Sequence, residues 1–114
     1  MEEKKIGKCD PTGREVSAPG AKLDFGKTPA GMLETFPLAL LAISLCFRFG
    51  ADKGYCRGGW RTVPGGHLRY LDASWRHKLL SGIEPFDHES GLPHEFHSLW
   101  SSMASLELLL EPLS

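Results

Sequence analysis

Leu92, Phe96, Leu99, Met103, Leu106 and Leu110 recur at alternating steps of four and three. That period is one apolar stripe of an α-helix. Pro93 suits the first turn of that helix, where a missing N–H costs nothing. Ser90 is the expected N-cap, and Asp87 and Glu89 lie at the end that favours negative charge. Pro112 marks the stop.

His94 and His97 stand three apart and share a helical face, which Ser98, Ser101 and Ser105 continue. One reading is a solvated face carrying two ordinary histidines. Asp87, Glu89 and His88 crowd the same stretch and favour a site. His94-Glu-Phe-His97 is not the zinc protease motif, which needs histidines four apart with the glutamate after the first.

The chain has 114 residues, which implies a single domain with a modest core. Thirteen basic residues against 14 acidic ones argue against a nucleic-acid partner. Cys9, Cys46 and Cys56 show no C-x-x-C spacing, and their odd number fits a reducing cytoplasm better than a disulfide framework. The charged N-terminus does not read as a signal peptide. Phe36 to Phe47 is the most apolar run and falls short of the roughly 20 residues that span a bilayer, so no membrane partner is expected.

Residues 1–31 are rich in Gly, Pro, Lys and Asp and read as an irregular arm, with a turn at Asp10-Pro-Thr-Gly13. Residues 32–114 read as the helical part. Within the arm, Ala21-Lys-Leu-Asp-Phe-Gly26-Lys27-Thr28 satisfies the loose phosphate-loop pattern. It lacks the strand before and the helix after that the motif needs, with Pro19-Gly20 ahead and Pro29 behind. A true phosphate loop is rejected, while Lys22, Asp24 and Lys27 stay candidates for phosphate or metal contact.

A first helix is expected from Phe36 to Phe49, capped by Thr35 and ended by Gly50. It is apolar on nearly every side, which predicts burial by neighbouring helices and another subunit. The acid at its start, Glu34, reads as a dipole-favourable surface group in preference to a ligand. The glycine-rich loop of residues 50–66 mixes Lys53, Tyr55, Arg57, Trp60 and Arg61. Such a loop can stack a base and pair with phosphate, or cover a core edge with Trp60. A second helix is expected over His67 to Leu80, with Leu68, Leu71, Trp75 and Leu79 as its core stripe. Arg69, Asp72 and Arg76 occupy another face, and Asp72 and Arg76 have the spacing of a surface pair. The turn at Gly82 allows His77 to converge with His94, His97, Asp87 and Glu89. Imidazoles with carboxylates suit Mn²⁺, Fe²⁺, Co²⁺, Ni²⁺ or Zn²⁺ better than an all-oxygen Mg²⁺ site.

The order of signatures is Asp10-Pro-Thr-Gly-Arg14, Ala21-Lys-Leu-Asp24 with Gly26-Lys27, and Phe49-Gly-Ala51 with Lys53 and Tyr55. Then come Gly59-Trp60, Arg69-Tyr-Leu-Asp-Ala73 with Arg76-His77, and Asp87-x-Glu-Ser-Gly-Leu-Pro-His94-x-x-His97 with Trp100. This order resembles the phage-encoded domain named for dATP/dGTP diphosphohydrolase, N-terminal region. More distantly it is similar to the all-α, MazG-like nucleotide pyrophosphatases. Those enzymes remove pyrophosphate from nucleoside triphosphates with E-x-x-E and E-x-x-D carboxylates holding Mg²⁺ or Mn²⁺. This chain has His94-x-x-His97 where E-x-x-D would sit, and Asp72 with Arg76-His77 on the preceding helix. The resemblance implies an all-α nucleotide-handling fold. If the chemistry is kept, histidines have replaced carboxylates around the metal.

Three functions follow as expectations. The first is a metal-dependent diphosphohydrolase of purine (d)NTPs, using Mn²⁺, Mg²⁺, Co²⁺ or Zn²⁺. His77, His94, His97 and Asp87 would hold the metal, and Glu89, Asp87 and Asp72 are the catalytic carboxylates. Lys22, Asp24, Lys27, Lys53, Trp60, Arg69 and Arg76 would bind the nucleotide. The second is a non-catalytic phage protein that sequesters a cyclic or related nucleotide signal. The third is a helical interaction protein with no small ligand. The expected architecture is a small all-α bundle of three main helices with an irregular arm. It would be completed by homo-oligomerisation and act in the cytoplasm, the host's if the gene is a phage's.

Overall fold

The computed structural model describes residues 9–113. They contain three α-helices: α1 (Pro37–Asp52), α2 (Gly66–Leu80) and α3 (His94–Leu110). Short 3-10 turns occupy Ala30–Thr35, Gly59–Thr62 and Glu111–Leu113, and among the described residues there is no sheet. The fold is all-α, as the periodicity predicts. The chain divides into two compact units between Thr35 and Phe36.

The first unit is organised by one carboxylate. Asp10 is buried, and its Oδ1 accepts from the Thr12 amide (2.9 Å), the Thr12 hydroxyl (2.7 Å) and the Arg14 amide (2.9 Å). Its Oδ2 accepts from the Lys22 amide at 3.1 Å. These bonds hold its pKa down at about 2, the Thr12 hydroxyl most of all. The Asp-Pro-Thr-Gly turn is thus a closed loop built on an acceptor. Over the phosphate-loop pattern the backbone makes only local turns, and a 3-10 turn, not an α-helix, comes after it.

In the second unit, Pro37 opens α1 as expected, but Thr35 does not cap it. The Thr35 hydroxyl donates to Met32 O instead, and Phe36 takes the cap position without a side-chain bond. The helix also runs through Gly50. It ends where Gly54 adopts φ +93°, which a side chain would resist, and the Lys53 and Gly54 amides return to the last carbonyls. Only Ile43 and Cys46 of α1 are buried, and Leu38 is 82 % exposed. The expectation of burial on most faces is therefore not met in the single chain, because α1 packs along α3 on one side only.

α2 and α3 run antiparallel, since His67 meets Ser105, Ser74 meets Ser98 and His77 meets His94. Their seam is made of small polar residues. The Ser74 hydroxyl donates to Ser98 O (2.9 Å) and the Ser98 hydroxyl donates to Ser74 O (3.0 Å). Ser102 joins Ser74 at 2.6 Å, and the Ser105 hydroxyl donates to His67 O at 2.8 Å. Gly66 lets Leu108 lie where a Cβ would stand only 2.6 Å from its Cδ1. Short side chains bring the helix axes close, and hydroxyls satisfied by carbonyls remove the penalty of burying them.

This corrects two expectations. The serine face of α3 is the buried one, with Ser98, Ser101 and Ser105 all inside. The large apolar stripes turn outward: Leu68, Trp75 and Leu79 of α2 are 63 %, 59 % and 67 % exposed, and Leu99, Met103, Leu106 and Leu110 of α3 are exposed too. No helix among the described residues is long and apolar enough to cross a membrane.

Candidate metal and nucleotide site

The link between α2 and α3 folds back on itself. Phe86 and Pro93 form an antiparallel bridge, the Asp87 amide donates to Leu92 O and the His94 amide donates to Pro85 O. This hairpin carries Glu84, Asp87 and Ser90 to the end of α2 and starts α3 at His94. Ser90 is not the helix cap expected of it, since Pro93 holds that position. Its oxygen instead accepts from the Leu92 amide and meets His97 Nε2 at 2.6 Å.

His94 is the most buried large side chain, 1 % exposed. Its Nε2 lies 3.1 Å from Glu84 Oε1. An ionised carboxylate only accepts, so His94 donates Nε2–H there and turns the Nδ1 lone pair the other way. On that side His77 Nδ1 stands 2.9 Å off. Ligand atoms of His77, Asp87 and His94 lie within 4.8 Å of one another. Two nitrogens about 2.1 Å from one ion at a right angle are about 3.0 Å apart, so the imidazole pair already has the spacing of neighbouring ligands. The Glu84 carboxylate stands behind His94 where metal-binding histidines keep the partner that fixes their tautomer. The donor set therefore fits a divalent ion of the Mn²⁺-to-Zn²⁺ series.

The charge states agree. Burial lowers the His77 pKa, and the neighbouring His97 lowers it further. Burial likewise lowers His97, outweighing the pull of Asp87. Burial alone would raise Asp87, but the Ser90 amide and hydroxyl outweigh it and leave the carboxyl below its ordinary value. The bond from His94, then that from His88, holds Glu84 low. Neutral imidazoles beside ionised carboxylates are the forms that bind metal.

A profile described as "dATP/dGTP diphosphohydrolase, N-terminal" matches residues 17–113. The chain belongs to this family. Comparison with curated proteins and with solved structures returned no match.

His97 lies beside the ligand group and not within it, stacked on His77 at 4.9 Å and met edge-on by Phe49 at 5.7 Å. Lys53, at the end of α1, donates to Glu89 at 3.4 Å and lies over the Phe49 and Tyr55 rings. Arg76 precedes His77 in the chain and depresses its pKa. Asp72 is exposed and in no ion pair with Arg76 among the described residues, and four residues of helix separate it from His77. Arg69 bonds Pro64 O near the other end of α2. Lys22, Asp24 and Lys27 belong to the first unit.

Trp60 does pack against the core, edge-on to Tyr70 and Trp100. It also borders a cavity of about 310 Å³ walled by Phe47, Trp100 and Met103, with Arg61 and Glu107 at its polar side. Glu84 is the residue sequence reasoning overlooked. Its one signal was being a further acid in the link that already held Asp87 and Glu89.

Proposed function

We propose that this protein is a metal-dependent nucleotide diphosphohydrolase acting on purine deoxynucleoside triphosphates. The observation that carries the reading is the approach of His77 and His94 at 2.9 Å, with Asp87 in reach and Glu84 behind. His77, His94 and Asp87 would hold a divalent ion, which would supply Lewis acidity toward a phosphoryl oxygen and lower the pKa of a water. Glu84 keeps His94 in the ligating tautomer, and His97 and Phe49 pack His77 in place.

The reaction adds one water across a phosphoanhydride. The water oxygen bonds to the α-phosphorus, the bridging oxygen leaves with pyrophosphate, and the water proton passes to a carboxylate. Glu89 is the candidate acceptor, because its exposed pairing with Lys53 is weak and readily exchanged. Lys53, released from Glu89, and Arg76 offset phosphate charge. The Trp60 cavity is mostly apolar and aromatic with Arg61 and Glu107 at one side, a lining that suits a base. The substrate class rests on the family description.

A second reading, nucleotide capture without turnover, is favoured by one feature. Asp87 and Glu89 each already have a partner, in Ser90 and Lys53. The discriminating experiment is chromatography of dNTPs, NTPs and cyclic dinucleotides after incubation with protein and Mn²⁺ or Mg²⁺, beside His94→Ala. Conversion of dATP and dGTP to monophosphates, lost in the variant, supports the enzyme. One nucleotide depleted and recovered intact on denaturation supports capture. Neither result leaves a helical interaction protein.

A further inference from the structure

On the side of α2 and α3 that the serine seam floors, a groove of about 400 Å³ lies open. Leu71 and Trp75 form one wall and Leu99 the other, above Ser74 and Ser98. Leu68 on α2 and Leu106 on α3 extend the apolar stripes, 63 % and 53 % exposed. An apolar face of this kind marks an interaction surface. Two antiparallel helices with an open apolar face supply what one half of a four-helix bundle needs.

Two charges indicate the occupant. Lys78 stands on the α2 wall and Glu95 on the α3 wall. Lys78 is one turn past Ser74 and Glu95 nearly one turn before Ser98. The helices are antiparallel with Ser74 against Ser98, so the two charges stand at one level across the groove. Neither is in an ion pair among the described residues. A two-fold axis running along the groove lays each wall on the opposite wall of a second copy. α2 then faces the partner's α3 antiparallel, and Lys78 meets the partner's Glu95 twice, once from each side. An axis across the groove would set α2 against the partner's α2 and separate the charges. The surface is self-complementary only in the first arrangement.

We infer that a second copy of this chain covers the α2–α3 groove, forming an antiparallel four-helix bundle closed by reciprocal Lys78–Glu95 pairs. Because the axis runs along the helices, the two His77–His94 sites lie at the same end of the dimer. The inference rests on this surface alone and stands whether or not nucleotide is hydrolysed.

The test is sedimentation velocity of the full chain at micromolar concentration, with circular dichroism to verify helix content. Wild type should have twice the chain mass. Lys78→Glu and Glu95→Lys should each shift toward the single-chain mass, since each sets like charges together at both contacts. An equimolar mixture of the two variants should return to twice the chain mass, and so should the chain carrying both changes. A monomeric wild type overturns the inference, as does an assembly larger than two. Single variants that stay dimeric, or folded variants whose mixture stays monomeric, also overturn it.

Discussion

Glu84 and His77 grip His94 from opposite sides of its ring, at 3.1 Å from Nε2 and 2.9 Å from Nδ1. The carboxylate decides which nitrogen keeps its proton, and so decides which lone pair faces His77. Glu84 contributes no ligand atom to the group, yet it sets the tautomer of a residue that does. Glu84→Gln should weaken Mn²⁺ binding about 10–100-fold, the usual loss for an outer-shell partner. Isothermal titration measures this. Unchanged affinity would remove Glu84 from the site.

The same imidazoles set a pH dependence. His77 and His97 have folded pKa values below the ordinary 6.5. The unfolded chain therefore binds more protons than the folded chain as pH falls through that value. Stability is complete above about pH 6.5 and declines below it, levelling off once the folded values are passed. Asp87 and Glu84 are depressed from 3.8 and 4.5, so their contribution is lost only at lower pH. Urea melts with chelator present, from about pH 8 to about pH 5, should show this slope. His77→Gln/His97→Gln should flatten it. A stability that rises on acidification would contradict the assignment.

The serine seam can be tested at its centre. Ser74→Ala removes the donor to Ser98 O and leaves the Ser102 hydroxyl without its 2.6 Å partner. The expected loss is about 1–3 kcal/mol by urea denaturation. Ser81→Ala, at a hydroxyl that bonds only the adjacent turn, should stay within about 0.5 kcal/mol. Equal effects would mean that the seam does not hold the helices.

In the first unit, Asp10→Ala removes the acceptor of three amides, those of Thr12, Arg14 and Lys22. Hydrogen exchange at those amides should accelerate together. In the wild type the turn's protection should persist below the ordinary carboxylate pKa of 3.8. It should disappear only as pH falls through about 2, where Asp10 protonates. Independent exchange of the three amides would contradict a single organising carboxylate.

Helix type was readable from the chain, but helix orientation was not. The step pattern from Leu92 to Leu110 marks α3 correctly, because period reports secondary structure. It does not report which face meets the neighbour. A serine face reads equally as solvated or as part of a site, and nothing in the spacing shows that Ser74 and Ser98 satisfy each other's carbonyls and so can be buried. Helix ends were misread at Thr35 and Gly50 because a cap depends on the chain's path, and the left-handed turn falls at Gly54. The convergence of His77, Asp87 and His94 was foreseeable from the short link after Gly82. Glu84 was not, since no spacing rule ties residue 84 to residue 94; only the hairpin at Phe86 and Pro93 does.

The proposed function requires that His77, Asp87 and His94 hold one divalent ion. Co²⁺ titration followed by visible absorption tests this, because the d–d bands shift and intensify when imidazole nitrogens replace water. Wild type should saturate at one equivalent per chain. His94→Ala, with its helix content preserved, should lose the bands. A wild-type spectrum identical to that of free Co²⁺, or one unchanged in His94→Ala, would show that these residues do not hold the ion.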